Sequence, residues 1–201
     1  MMIKICGITN RDDALAAVDG GASALGFNFY ARSPRYIEPE RAREIAAGIP
    51  AGVLRVGVFV NESRERVAAL ARLAGLDVVQ LHGSETSADY PDGFRVWRAL
   101  RVEADFRIAN LQRIVAEAVV LDGPAGALFG GAGHTFDWTL AAGASQRMIL
   151  AGGLDAGNVQ QAIAIARPWG VDACSRIEQS PGRKDHARMA AFLKAARYPQ
   201  E

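Results

Sequence analysis

Short apolar runs alternate along the chain with segments in which hydrophobic side chains return every three or four residues. The runs MIKIC (2–6), ALGFNF (24–29), LRVGVFV (54–60), DVVQLH (77–82), FRVWRAL (94–100), EAVVLD (117–122), RMILAG (147–152) and GVDACS (170–175) have strand lengths. Between them the spacing changes to that of one buried helical face: Ala42, Ile45, Ala46, Ile49; Val67, Leu70, Ala71, Ala74; Val159, Ala162, Ile163, Ala166. Met189, Phe192, Leu193 and Ala196 repeat the pattern after the last run. Asn10 and Asp155 are N-cap candidates, Pro39 suits a first helical turn, and Gly20 and Gly21 stand where a helix must stop. The helical signal is weakest around SADYPDG, where Pro91 intervenes, and around DWTLAAG.

Strands that alternate with helices pair in parallel, because each connection has to cross back over the sheet. Eight such units over residues 1–201 predict an α/β fold, a single-domain (β/α)8 TIM barrel, with an open doubly wound sheet as the structural alternative. No linker, low-complexity tract or close repeat interrupts the alternation.

Composition narrows what such a barrel binds. Half of the 201 residues are hydrophobic and 22% are charged, enough to bury a large core. Lys and Arg (23) nearly balance Asp and Glu (22), so no bulk field draws the chain to nucleic acid or to a membrane, and any ligand is recognised locally. The N-terminus, MMIKICGITNRDD, has no secretory pattern, and no apolar run approaches the roughly 20 residues of a membrane helix, so a cytoplasmic location is expected. Such a location gives no reason to expect a disulfide between Cys6 and Cys174. His82, His134 and His186 are too scattered for a metal site, and none is expected.

A parallel barrel gathers its chemistry at the C-terminal ends of its strands. Cys6 ends the first, Asp122 the sixth, and Cys174 to Arg176 the eighth. By itself Cys6 is either a buried structural thiol or a reagent. Three late loops are glycine-marked: FGGAGHTF (129–136), AGGLDAGN (151–158) and CSRIEQSPGRKD (174–185). Glycine lets backbone N–H groups approach an anion, and the last two loops of such barrels often hold phosphate. Gly131, Gly133, Gly152, Gly153, Ser175 and Arg176 are therefore candidate phosphate-binding residues, for a phosphorylated small molecule.

The motifs KICGIT, GFNFYARSPRYI, VGVFVN, VQLHG, VLDG, GGAGHTFDW, LAGGLDAGNV and SPGRKD, in this order and spacing, resemble the phosphoribosylanthranilate isomerases of tryptophan biosynthesis. The likeness runs from residue 3 to 185. It implies a (β/α)8 barrel without cofactor that performs an Amadori rearrangement of an N-glycoside to a 1-arylamino-1-deoxyribulose 5-phosphate. By the same resemblance Cys6 is the general base, Asp122 the general acid and Arg35 the residue for the substrate's carboxylate. Acid and base must hold opposite protonation states, whereas a free thiol titrates at about 8.5 and a free aspartic acid at about 3.9. The resemblance thus implies an environment that acts on both.

The chain departs from the family pattern in its eighth loop, where CSRIE stands for a segment such as SSGVE, and at Asn28 and Ala132. Alternation in the pleat predicts Cys6 and Lys4 on the inner face of strand one, beside Cys174 and Asp172 on strand eight, so the two thiols are expected close together and Lys4 is expected to pair with Asp172. A Schiff-base barrel enzyme is poorly supplied by Lys4, Lys184 and Lys194, and a metal-dependent epimerase by His82 alone. A catalytically silent or substrate-shifted sugar-phosphate-binding barrel is the remaining alternative. Monomer and homodimer are both open.

Overall fold

The computed structural model describes residues 1–103, 105–123 and 135–197. Eight parallel strands close on themselves in sequence order: β1 (Met2–Cys6), β2 (Ala24–Asn28), β3 (Leu54–Phe59), β4 (Val78–Leu81), β5 (Arg95–Arg101), β6 (Ala118–Asp122), β7 (Met148–Leu150) and β8 (Gly170–Ala173). The seam between first and last strands pairs Met2 with Gly170, Lys4 with Asp172 and Ile5 with Ala173. The fold is a (β/α)8 barrel, as the alternation predicts, and closure leaves the barrel sheet itself without an open edge. No helix among the described residues is long and apolar enough to cross a membrane.

Alternation along the strands splits the apolar residues into two layers. Outward residues such as Ile5, Leu25, Phe27, Val119 and Leu121 pack under the helices, while Val56, Val78, Trp97, Val120 and Ile149 fill the interior. Trp97 meets Trp169 edge-on near the N-terminal ends of the strands, with ring centroids 6.0 Å apart. The inward positions become polar toward the other end.

Among the described residues five α-helices cover the barrel: α1 (Arg11–Asp19), α2 (Pro39–Ala46), α3 (Arg64–Ala74), α4 (Val159–Ala166) and α5 (His186–Arg197). Asn10 caps α1 by accepting the Asp13 N–H, Pro39 stands in the first turn of α2, and Gly20 ends α1. Three expectations need correction. Asp155 is not an N-cap: Asn158 takes that place, and Asp155 closes a turn by accepting the Gly157 N–H. Ile49 lies beyond α2, although buried. The eighth strand stops at Ala173, and Ser175–Ile177 form a 3-10 turn rather than a strand end. The weak fourth and sixth helical segments, and the fifth, are short 3-10 turns at Ser87–Asp89, Trp138–Ala141 and Ile108–Arg113. After β8 the chain also forms a small hairpin, β9 (Glu178–Ser180) with β10 (Arg183–Lys184), which the apolar pattern does not announce because its residues are mostly polar.

Candidate active site

At the C-terminal ends of the strands the barrel opens into one polar cavity that Cys6, Asp122, Arg35, Gly152, Gly153, Ser175 and Arg176 all line. Seven of the nine residues singled out in the sequence are thus brought together. The other two, Gly131 and Gly133, lie outside the described residues, as does Ala132.

Cys6 ends β1 with its side chain half-buried. Its strand partner is Gly26, and a Cβ there would lie 2.8 Å from the Cys6 sulfur and 3.2 Å from Lys4 Cε. The bare glycine is what leaves the sulfur its space. Below it Lys4, fully buried, donates to Asp172 Oδ2 at 2.7 Å, the pairing expected from the pleat. A hydrogen bond from the Cys174 thiol holds the Cys6 thiol well below the usual cysteine range, burial opposes this, and the charges of Lys4 and Lys184 reinforce it. The Cys174 thiol is pushed well above that range by the same contact and by burial. Burial also raises Asp172, to about 7, against the attraction of Lys4.

Asp122 ends β6 and is 7% exposed. His82 Nε2 stands 3.4 Å from its Oδ2, longer than a well-formed hydrogen bond, and has no other hydrogen-bond partner. Gln80 Oε1 and Asp172 Oδ1, on cavity-lining residues, are buried and likewise unmatched. The sequence offered His82 only as a metal ligand and Gln80 not at all. Their signal was their place at the end of VQLH, at the mouth of a strand. No group of His, Cys, Asp and Glu suited to a metal occurs among the described residues.

Arg35 reaches the cavity from the loop after β2. Its Nε bonds both Glu178 oxygens, at 3.0 and 3.1 Å, and its Nη2 bonds Oε2 at 2.8 Å. One edge of the guanidinium is thus occupied, and the Nη1 side is left for a further acceptor. Burial disfavours the Arg35 charge, but Glu178 outweighs it and raises the guanidinium further; Glu178, whose burial acts the other way, is held low by Arg35 and Lys184. Lys184 Nζ bonds Glu178 Oε1 at 2.8 Å, and the Lys184 N–H bonds Asp13 Oδ2 at 2.8 Å, so α1 anchors the hairpin. Gly7 has φ +75°, and a Cβ there would sit 2.8 Å from Arg35 Cδ. Only glycine combines that backbone conformation with the passage of the arginine.

On the opposite flank Gly152 and Gly153 have φ of +83° and +62°. A Cβ on Gly152 would fall 2.4 Å from the Gly123 nitrogen and 2.8 Å from Asp122 Oδ1, so the loop after β7 runs directly against the end of β6. Asn158 Nδ2 donates to Gly153 O at 2.8 Å and fixes the turn. Arg176, where the family commonly has glycine, sits in the 3-10 turn without left-handed backbone, its side chain paired with Asp155 at 3.1 Å.

A closed parallel barrel with a cavity at its strand ends, walled by a half-buried thiol on β1 and a buried carboxylate on β6, has the arrangement of the barrel enzymes that carry their sites at the strand ends. Residues 3–195 match the family model described as N-(5'-phosphoribosyl)anthranilate (PRA) isomerase. The chain is 57% identical over 197 residues to the N-(5'-phosphoribosyl)anthranilate isomerase of Solibacter usitatus, covering 98% of each chain. It superposes on the crystal structure of phosphoribosyl anthranilate isomerase from Thermotoga maritima with a TM-score of 0.87 at 38% identity, and on a phosphoribosyl anthranilate isomerase in complex with reduced 1-(o-carboxyphenylamino)-1-deoxyribulose 5-phosphate with 0.84 at 37%, covering 98% of each chain in both cases. The chain belongs to the N-(5'-phosphoribosyl)anthranilate isomerase family.

Proposed function

We propose that this protein converts N-(5'-phosphoribosyl)anthranilate to 1-(o-carboxyphenylamino)-1-deoxyribulose 5-phosphate, with Cys6 as general base and Asp122 as general acid. The observation that carries the reading is that these two groups bound one cavity from different strands, in a chain of this family. Asp122 gives a proton to the ribose ring oxygen as the C1–O bond breaks and the anilino nitrogen lone pair forms the C=N bond. The Cys6 thiolate then removes the C2 proton, and the electron pair of that C–H bond forms the enolamine. Return of a proton to C1 and loss of the C2 hydroxyl proton leave the ketone.

Carbon 1 is reduced and carbon 2 oxidised within one molecule, so the aldose-to-ketose change balances without a cofactor. Arg35, steered by Glu178, presents its Nη1 side to the anthranilate carboxylate. Gly152, Gly153, Ser175 and Arg176 hold the phosphate on the far flank, and with the anthranilate at the Arg35 side this orients the ribose between acid and base.

The test is turnover of freshly generated substrate, read as loss of anthranilate fluorescence, for wild type, Cys6→Ala and Asp122→Asn. Each variant is expected to lose roughly 10²- to 10⁴-fold in kcat. Absence of wild-type turnover with retained binding of a pentulose phosphate would instead favour a silent or substrate-shifted barrel.

A further inference from the structure

Two thiols share the cavity, and the acid/base chemistry consumes only one. Ile5 pairs with Ala173 across the β1–β8 seam, so Cys6 and Cys174 are the next residues along two adjacent parallel chains, on the inner face that Lys4 and Asp172 share. The Cys174 sulfur lies 3.1 Å from where a Cβ on Gly7 would be, which places it over the residue that follows Cys6. Neighbouring backbones in a sheet are separated by a distance that a disulfide spans. Both cysteines are free, half-buried, and open to the same cavity, so a small solute that enters it reaches both sulfurs.

Around the thiols stand three cations and the two carboxylates that pair with them, Asp172 with Lys4 and Glu178 with Arg35 and Lys184, and Glu178 Oε1 is 3.9 Å from the Cys174 sulfur. Lys184 Nζ is 3.9 Å from the Cys174 sulfur, Lys4 lies beneath Cys6, and Arg35 passes above Gly7. The one cation in excess favours a thiolate, which is the form that peroxides attack.

We propose that Cys6 and Cys174 form a redox-active dithiol that hydroperoxides oxidise to a reversible intramolecular disulfide. The Cys6 thiolate attacks the terminal peroxide oxygen, the O–O bond breaks, and a sulfenic acid and one hydroxide result, the latter taking up a proton as water. The Cys174 sulfur, losing its proton, then attacks the Cys6 sulfur, forms the S–S bond and expels the second hydroxide as water. With hydrogen peroxide two thiols are oxidised and one peroxide is reduced to two waters. Cys174 thus acts as the resolving thiol, and it diverts Cys6 from irreversible sulfinic acid. Formation of the disulfide stands on its own geometry, whereas loss of isomerase activity upon oxidation rests on Cys6 being the base.

The experiment treats the reduced full-length protein with hydrogen peroxide, alkylates the remaining thiols, and reads intact and peptide masses beside turnover before and after dithiothreitol. Wild type is expected to lose two hydrogens, to resist alkylation, to give a Cys6 peptide linked to a Cys174 peptide, and to recover its initial turnover on reduction. Cys174→Ser is expected to carry two added oxygens on Cys6 and to recover little of its own starting activity. Oxidised wild type in which both thiols still alkylate, in which Cys6 carries two oxygens while Cys174 remains free, or in which the link joins two chains, would overturn the proposal. Because the link is read by mass, it is judged even if the reduced protein shows no isomerase turnover, a result that would count against the proposed function instead.

Discussion

At the scale of single residues, Glu178 sets how Arg35 can be used. The carboxylate takes the Nε and Nη2 edge of the guanidinium and is itself held by Lys184, so the arginine arrives oriented, and under the proposed function its Nη1 side meets the substrate's carboxylate. Glu178→Gln keeps the shape but removes the charge and replaces one acceptor by a donor. KM is expected to rise about tenfold or more, the scale of a lost charge-assisted hydrogen bond, with a much smaller change in kcat. A fall in kcat with KM unchanged would show that Arg35 does not act through ground-state binding of the carboxylate. Arg35 was legible in SPRYI through the family resemblance, whereas Glu178 was not. The two are 143 residues apart, and nothing local to CSRIE tells that its glutamate faces an arginine across the barrel mouth. The same holds for the unmatched atoms of Gln80 and Asp172, which become meaningful only once the strands close.

At the scale of elements, the strands were legible nearly to their ends, because parallel strands covered on both faces read as compact apolar runs. The connections were less so. Where the sequence carries Pro91 or only a few periodic residues, 3-10 turns do the work of helices, and Asp155 spends its side chain on a turn instead of a cap. Strand pairing also creates constraints that no single strand displays. Gly26 of β2 is an unremarkable strand glycine in the sequence, yet it faces Cys6 across the ladder, where a Cβ would meet the sulfur at 2.8 Å and the Cys6 Cα at 3.1 Å. Backbone on one side and a fully buried Lys4 on the other leave that methyl nowhere to go. Gly26→Ala is expected to cost about 1–3 kcal/mol of stability as overpacking and to reduce kcat by displacing the sulfur. Chemical denaturation and turnover on the same preparation check both parts, and an active, equally stable variant would mean that β1 and β2 separate more easily than the ladder suggests.

At the scale of the whole molecule, the alternation of periods favoured a closed barrel over an open doubly wound sheet, and closure seals an ion pair between the first and last strands. Lys4 and Asp172 meet at 2.7 Å with side-chain exposures of 0% and 8%. Removing Lys4 leaves Asp172 buried without its partner, so Lys4→Met is expected to destabilise the fold, by about 3–5 kcal/mol once the pH is high enough to ionise the orphaned carboxyl, and a further Asp172→Leu to restore much of that. The pH dependence distinguishes this account from simple packing loss. Folded Asp172 holds its proton up to about 7, against an ordinary value of 3.8, so between those limits the native state binds more protons than the unfolded chain. Stability from this group is therefore fully present in acid and falls as pH rises through that window. Lys4 lowers the Asp172 value and so limits the fall. In Lys4→Met the decline should extend to higher pH, and in Asp172→Asn this component should vanish. Urea denaturation of the three proteins across the window measures it; parallel stability curves would show that the seam of the barrel does not sense the charge of this carboxylate.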